Sequence, residues 1–165
     1  MVILIMGTTG AGKSTIGKLL AERLAWPFLD ADDFHPQANI EKMKHGIPLT
    51  DLDRAPWLDR IHDELVRLSE AGQNVVLACS ALKQSYRDTL ARGLDLRVVY
   101  LRGSYEEMRR HILARHGHFA GEAILAGQFA DLEEPQDALL LPVAERPDEL
   151  VQQTITGLKL TPPLT

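Results

Sequence analysis

Cysteine is nearly missing from this chain. Cys79 stands alone, so no internal disulfide can form, and a reducing compartment such as the cytoplasm is the expected location. At the end of an apolar run, Cys79 reads as a small buried hydrophobe rather than a nucleophile. Basic charge is also short: 18 Lys and Arg against 23 Asp and Glu leave a net charge of −5 and a pI near 5.6. That balance argues against a nucleic-acid partner, which selects a basic surface. No apolar stretch approaches the roughly 18 residues a membrane span requires. The amino terminus carries no basic leader, so no signal peptide is expected. Internal repeats and low-complexity tracts are absent. With 165 residues, 45% of them hydrophobic, the chain is expected to form one domain over 1–165.

What is present begins at once. Val2–Met6 is an apolar run, and Gly7, Thr8, Thr9, Gly10, Ala11, Gly12, Lys13, Ser14 and Thr15 follow it. This is G-x-x-x-x-G-K-[ST] between a strand and a helix, the context in which such a loop holds phosphate. Its glycines let successive N–H groups curl around one anion, and the next helix adds its positive end. Lys13 is expected to reach the β- and γ-phosphates, and Ser14 to ligate Mg²⁺. The ligand is a nucleoside triphosphate. No Asn-Lys-x-Asp motif is present, which argues against guanine specificity.

Apolar runs then alternate with helical patterns. Strands are expected at Val2–Met6, Pro27–Asp30, Asn74–Ser80, Leu96–Leu101 and Ala138–Val143. Helices are expected at Lys13–Leu24, Asn39–His45, Asp53–Ala71, Lys83–Arg92, Ser104–Arg115 and Pro147–Leu158. Five strands separated by helices imply an α/β fold, a parallel sheet covered on both faces. Ligands in such folds sit beyond the carboxyl ends of the strands, where this chain puts its polar clusters.

Asp30 and Asp32 follow the second strand. Two acids spaced i, i+2 on extended chain point the same way, so they can serve one site, and the pair is the better candidate for the metal side of a phosphoryl-transfer centre. Asp51, Asp53 and Arg54 form a second cluster, before and into the long helix. Lys83 and Arg87, at i, i+4, share a face near a helix N-terminus, where the helix dipole disfavours cations, so an anionic ligand would account for them. Residues 116–135 interrupt the alternation and read as a lid, while 31–52 form the substrate-side segment. His116 and His118 have no second Cys/His group beside them and do not suggest zinc.

Across residues 3–135 the segments MGTTGAGKST, FLDADDFHP with NIEKM, DxDRxPWL, CSALKxxYR, RxGHF and QFxxLEEP resemble the gluconate kinase family. That family lies within the wider shikimate kinase and nucleoside monophosphate kinase superfamily. The resemblance implies a three-layer P-loop kinase fold with a mobile lid, ATP and Mg²⁺ as cofactors, and commonly a homodimer. It implies transfer of the γ-phosphate to the 6-hydroxyl of D-gluconate. Asp32 would then be the base or positioner, with Lys13 and Arg115 stabilising charge. Arg54, Lys83 and Arg87 would supply cations for the sugar acid, and His35, Asp32 and Gln128 polar contacts. His118 and Phe119 would cover the substrate. His111, where relatives often have arginine, would face the nucleotide. Two other readings stay open at this point: a related small-molecule kinase with a different acceptor, and a nucleotide-binding regulator without turnover.

Overall fold

In the computed structural model, which describes residues 1–116 and 120–163 but not the side chains of 115, 116 and 120–122, the chain is a three-layer α/β structure. The strands are β1 (Val2–Met6), β2 (Phe28–Asp30), β3 (Val75–Ala78), β4 (Leu96–Arg102) and β5 (Ala138–Pro142). They pair in the order β2-β3-β1-β4-β5, all parallel, with Ile5 beside Ala78 and Met6 beside Tyr100. Central β1 is buried at every position because both faces of the sheet are covered.

Alternation along β1 divides the core. Ile3 and Ile5 pack with α1 (Lys13–Leu24), α5 (Tyr105–His116), α6 (Ala120–Asp131) and α7 (Pro147–Gly157) through Leu20, Met108, Leu125 and Ile155. Val2, Leu4 and Met6 face α3 (Asp51–Glu70) and α4 (Gln84–Ala91) through Trp57, Ile61, Leu65 and Leu90. Cys79 lies in this second layer, 2% exposed, and burial pushes its thiol up to about 12, so it is an inert core residue. No helix among the described residues is long and apolar enough to cross a membrane.

The differences from the sequence pattern have local causes. Helix α3 begins at Asp51, ahead of the apolar periodicity, because Thr50 caps it. Thr50 Oγ1 accepts from Asp53 N at 3.2 Å, and the Asp53 carboxylate accepts from Thr50 N at 2.9 Å. Residues 116–135 contain α6, whose Ala- and Gly-rich sequence blurs any apolar stripe. Leu125 nevertheless is fully buried, and Phe129 meets Tyr105 edge to face. Between β2 and α2 (Gln37–Lys44) the chain makes a 3₁₀ turn, Ala31–Phe34.

Candidate active site

The loop after β1 turns back on itself through left-handed glycines, Gly10 at φ 84° and Gly12 at φ 87°, the latter capping α1. Gly10 also permits close packing, since a Cβ there would come 2.9 Å from the Met108 carbonyl oxygen. Lys13 Nζ donates to Thr8 O at 3.0 Å, folding the lysine over its own loop. His111 Nδ1 lies 3.0 Å from Gly10 O; a carbonyl only accepts, so that nitrogen carries the proton. The histidine thus touches the loop itself.

A cleft of about 280 Å³ opens above this loop, bordered by Gly12, Lys13, Ser14, Asp30, Asp32, Ser80 and Gln128. Ser14 Oγ donates to Asp30 Oδ2 at 2.6 Å, a hydroxyl and a carboxylate side by side. Two hard oxygen donors next to a phosphate cradle fit Mg²⁺. Asp30 and Asp32 do converge, though not by strand alternation. Asp32 sits in the 3₁₀ turn, and its N–H donates to Asp30 Oδ1 at 3.1 Å, so the turn swings it into the cleft. Burial and the Asp30 charge raise the Asp32 pKa, against the pull of Lys13.

Beyond Asp32 the polar surface continues. His35 stacks on Trp57 with ring centroids 4.5 Å apart and planes 8° from parallel, and Trp57 Nε1 donates to Ala31 O at 2.7 Å. Burial lowers the His35 pKa, with Asp32 opposing and Arg54 reinforcing the shift. Arg54 Nη1 donates to the Tyr86 hydroxyl at 3.3 Å, and the Tyr86 hydroxyl donates to Asp51. Lys83 Nζ donates to both Asp51 oxygens at 3.1 and 3.2 Å. The bonds from Tyr86 and Lys83 hold the Asp51 carboxyl below its ordinary range. Sequence reasoning puts Asp51 in a polar cluster without giving it a role, and does not place Tyr86 or Asn39 in the site. The spacing of Asn39 from His35, i to i+4, was the available signal.

Two expected substrate residues are placed otherwise. Arg87 does not share a face with Lys83, because α4 starts at Gln84 and Lys83 is its extended cap. The Arg87 guanidinium is 3% exposed and donates to Ala81 O, Leu82 O, Gln84 Oε1 and Glu133 O. It clamps the loop after β3 to the segment after α6, so its cation is spent inside the fold. Gln128 lines the cleft, but its Oε1 accepts from Thr9 N at 2.6 Å, on the phosphate loop. His118 and the Arg115 side chain lie outside the described residues.

Comparison with known proteins places the chain in a family. The shikimate kinase family model matches residues 9–120. The chain is 43% identical over 158 residues to the gluconokinase of Gluconobacter oxydans, covering 93% of this chain and 88% of that one. It is 47% identical over 152 residues to a probable gluconokinase of Mus musculus, covering 81% and 83%. Among solved structures, a gluconokinase from Sinorhizobium meliloti superposes with a TM-score of 0.86 at 40% identity, over 96% of this chain and 91% of that chain. Shikimate kinase from Aquifex aeolicus, at a TM-score of 0.58 and 17% identity, shares the fold.

Proposed function

From a chain that belongs to the gluconokinases of the shikimate kinase family, we infer ATP-dependent phosphorylation of D-gluconate at its 6-hydroxyl, giving 6-phospho-D-gluconate and ADP. The observation that carries this reading is the pairing of a cleft bordered by Lys13 and Asp32 with the polar cluster Arg54, Tyr86, Asp51 and Lys83, and His35 is influenced electrostatically by both Asp32 and Arg54. The cleft suits a polyphosphate. The cluster carries two cations suited to a carboxylate, and the polar groups between them suit a polyol.

Phosphoryl transfer passes through a loose transition state, so catalysis rests on alignment and charge stabilisation. The loop N–H groups and Lys13 hold the β- and γ-phosphates, and Arg115 adds a second cation as charge develops. Asp32 orients the 6-hydroxyl and accepts its proton, and the raised pKa makes it a better base than an ordinary surface carboxylate. Mg²⁺, when bound, neutralises phosphate charge, and Ser14 and Asp30 are the residues that would hold it. Arg54 and Lys83 read the sugar-acid carboxylate, while His111 backs the loop on the nucleotide side. His118 and α6 close over the acceptor as a lid, excluding water that would otherwise take the phosphoryl group. A cytoplasmic homodimer completes the reading.

An acceptor panel tests it. With ATP and Mg²⁺, ³¹P NMR should show a phosphomonoester from gluconate and none from shikimate or a nucleoside monophosphate. Turnover of either of those, with none of gluconate, would overturn the assignment, and sedimentation would report the dimer.

A further inference from the structure

Asn39 is 3% exposed on α2, one turn beyond His35. Its Nδ2 donates to Asp53 O at 2.9 Å and lies 3.3 Å from His35 Nδ1. The first contact settles the amide orientation: a backbone carbonyl only accepts, so the atom facing it is the nitrogen. The second NH₂ hydrogen then points at His35 Nδ1, which must offer a lone pair. A proton on Nδ1 would set N–H against N–H. In a neutral ring the proton therefore sits on Nε2, on the opposite edge.

We propose that Asn39 is a positioning residue that fixes His35 as the Nε2–H tautomer, making His35 a hydrogen-bond donor to the phosphoryl acceptor and leaving proton acceptance to Asp32. The role toward the acceptor rests on the function inferred above; the tautomer does not. The groups around the ring are consistent with it. Trp57 stacks on one face, Arg54 and burial disfavour an imidazolium, and the Asp32 carboxylate alone favours one. The arrangement also removes a competitor. Two bases beside one hydroxyl would divide its proton, whereas a ring whose basic nitrogen is already engaged by an amide can only donate at its other edge. With Nε2–H on the hydroxyl oxygen, the hydroxyl proton is directed to the carboxylate. Asn39 passes this constraint from α3 as well, because the residue whose carbonyl it binds, Asp53, completes the capping box that Thr50 opens on that helix.

Long-range ¹H–¹⁵N correlation spectra of histidine-labelled protein separate the two neutral tautomers from the imidazolium, and His35→Phe identifies the His35 signals by deletion. At pH 7 the wild type should show the Nε2–H form. An Nδ1–H or imidazolium signal would overturn the proposal. Asn39→Asp puts an acceptor opposite Nδ1 and should switch the ring to Nδ1–H or imidazolium; an unchanged tautomer in a folded variant would refute Asn39 as its cause. Should that variant not fold, kinetics at position 35 supply the test. His35→Phe should raise the gluconate KM about tenfold, the scale of one hydrogen bond, without changing ADP affinity, and His35→Gln, which keeps a donor, should recover most of it. An unchanged KM in His35→Phe would overturn the donor role. An Nε2–H signal in a protein that does not phosphorylate gluconate would instead sink the acceptor assignment and leave the tautomer standing.

Discussion

Asp53 holds two helices in register with one side chain. Its carboxylate accepts from Thr50 N and from Lys42 Nζ at 2.7 and 2.9 Å, tying α2 to the start of α3, and these bonds lower its pKa to about 2. The folded value lies below the ordinary 3.8, so the contribution is complete above about pH 4 and is lost as pH falls through the folded value. Asp53→Asn should therefore lower Tm by a few degrees at pH 7, since the amide keeps an acceptor for Thr50 N but loses the charge paired with Lys42. The gap to wild type should close as scans approach pH 2, and a gap independent of pH would contradict the role given to the charge. Lys13 belongs to chemistry instead. Lys13→Met should keep the fold by circular dichroism and cut kcat by about 10² or more. At this scale the sequence was an uneven guide. The phosphate loop was legible because backbone curvature and residue type coincide in one short motif. Arg87 was not, since its role depends on α4 beginning one residue late, which turns an i, i+4 pair into a cap and a buried clamp.

Among the elements, α6 is the one whose placement bears most on the cleft. After it, Glu133 Oε2 accepts from Gln84 N at 2.7 Å and Glu133 N donates to Leu82 O at 2.9 Å, while Glu134 Oε1 accepts from Arg102 Nε at 3.0 Å. The LEEP segment thus anchors the helix end to α4 and β4. Within the helix, Gln128 reaches back to Thr9 N, placing an amide oxygen where a phosphate oxygen would accept. Nucleotide must displace that contact to use the Thr9 N–H. Gln128→Leu removes the competitor, and calorimetry should show ADP binding several-fold tighter, within the tenfold worth of one hydrogen bond. Weaker binding would mean that Gln128 supports the nucleotide instead. The strands and most helices could be read from apolar runs and caps, but α6 could not. Its small residues carry no stripe, and among its described residues the buried Leu125, the edge-on Phe129–Tyr105 pair and the Gln128–Thr9 bond hold it down.

For the whole molecule, the order β2-β3-β1-β4-β5 explains why distant polar clusters meet: β1, β3 and β2 are neighbours, so whatever follows each strand emerges at one rim of the sheet. The two apolar layers lie behind that rim, and stability and recognition should separate cleanly by mutation. Leu65 is fully buried in the α3 layer. Leu65→Ala should cost about 2–5 kcal/mol and lower Tm by about 5–15 °C, while the gluconate KM of the folded fraction stays near wild type. Lys83 lies at the open end, three-quarters buried, with its charge held by the more exposed Asp51. Lys83→Met should leave Tm nearly unchanged and raise the gluconate KM about tenfold or more, the scale of losing a hydrogen bond to a charged group. ADP affinity should not move, since the nucleotide occupies the other end of the site. The opposite change at Asp51 sharpens the test. Asp51 bonds both Lys83 and Tyr86 and lies 3.9 Å from Arg54, so it occupies the cations a sugar-acid carboxylate would use. If the substrate displaces it, Asp51→Asn lowers the gluconate KM. If Asp51 instead aligns the cations for the substrate, the KM rises, and the cluster reads its ligand through a retained carboxylate.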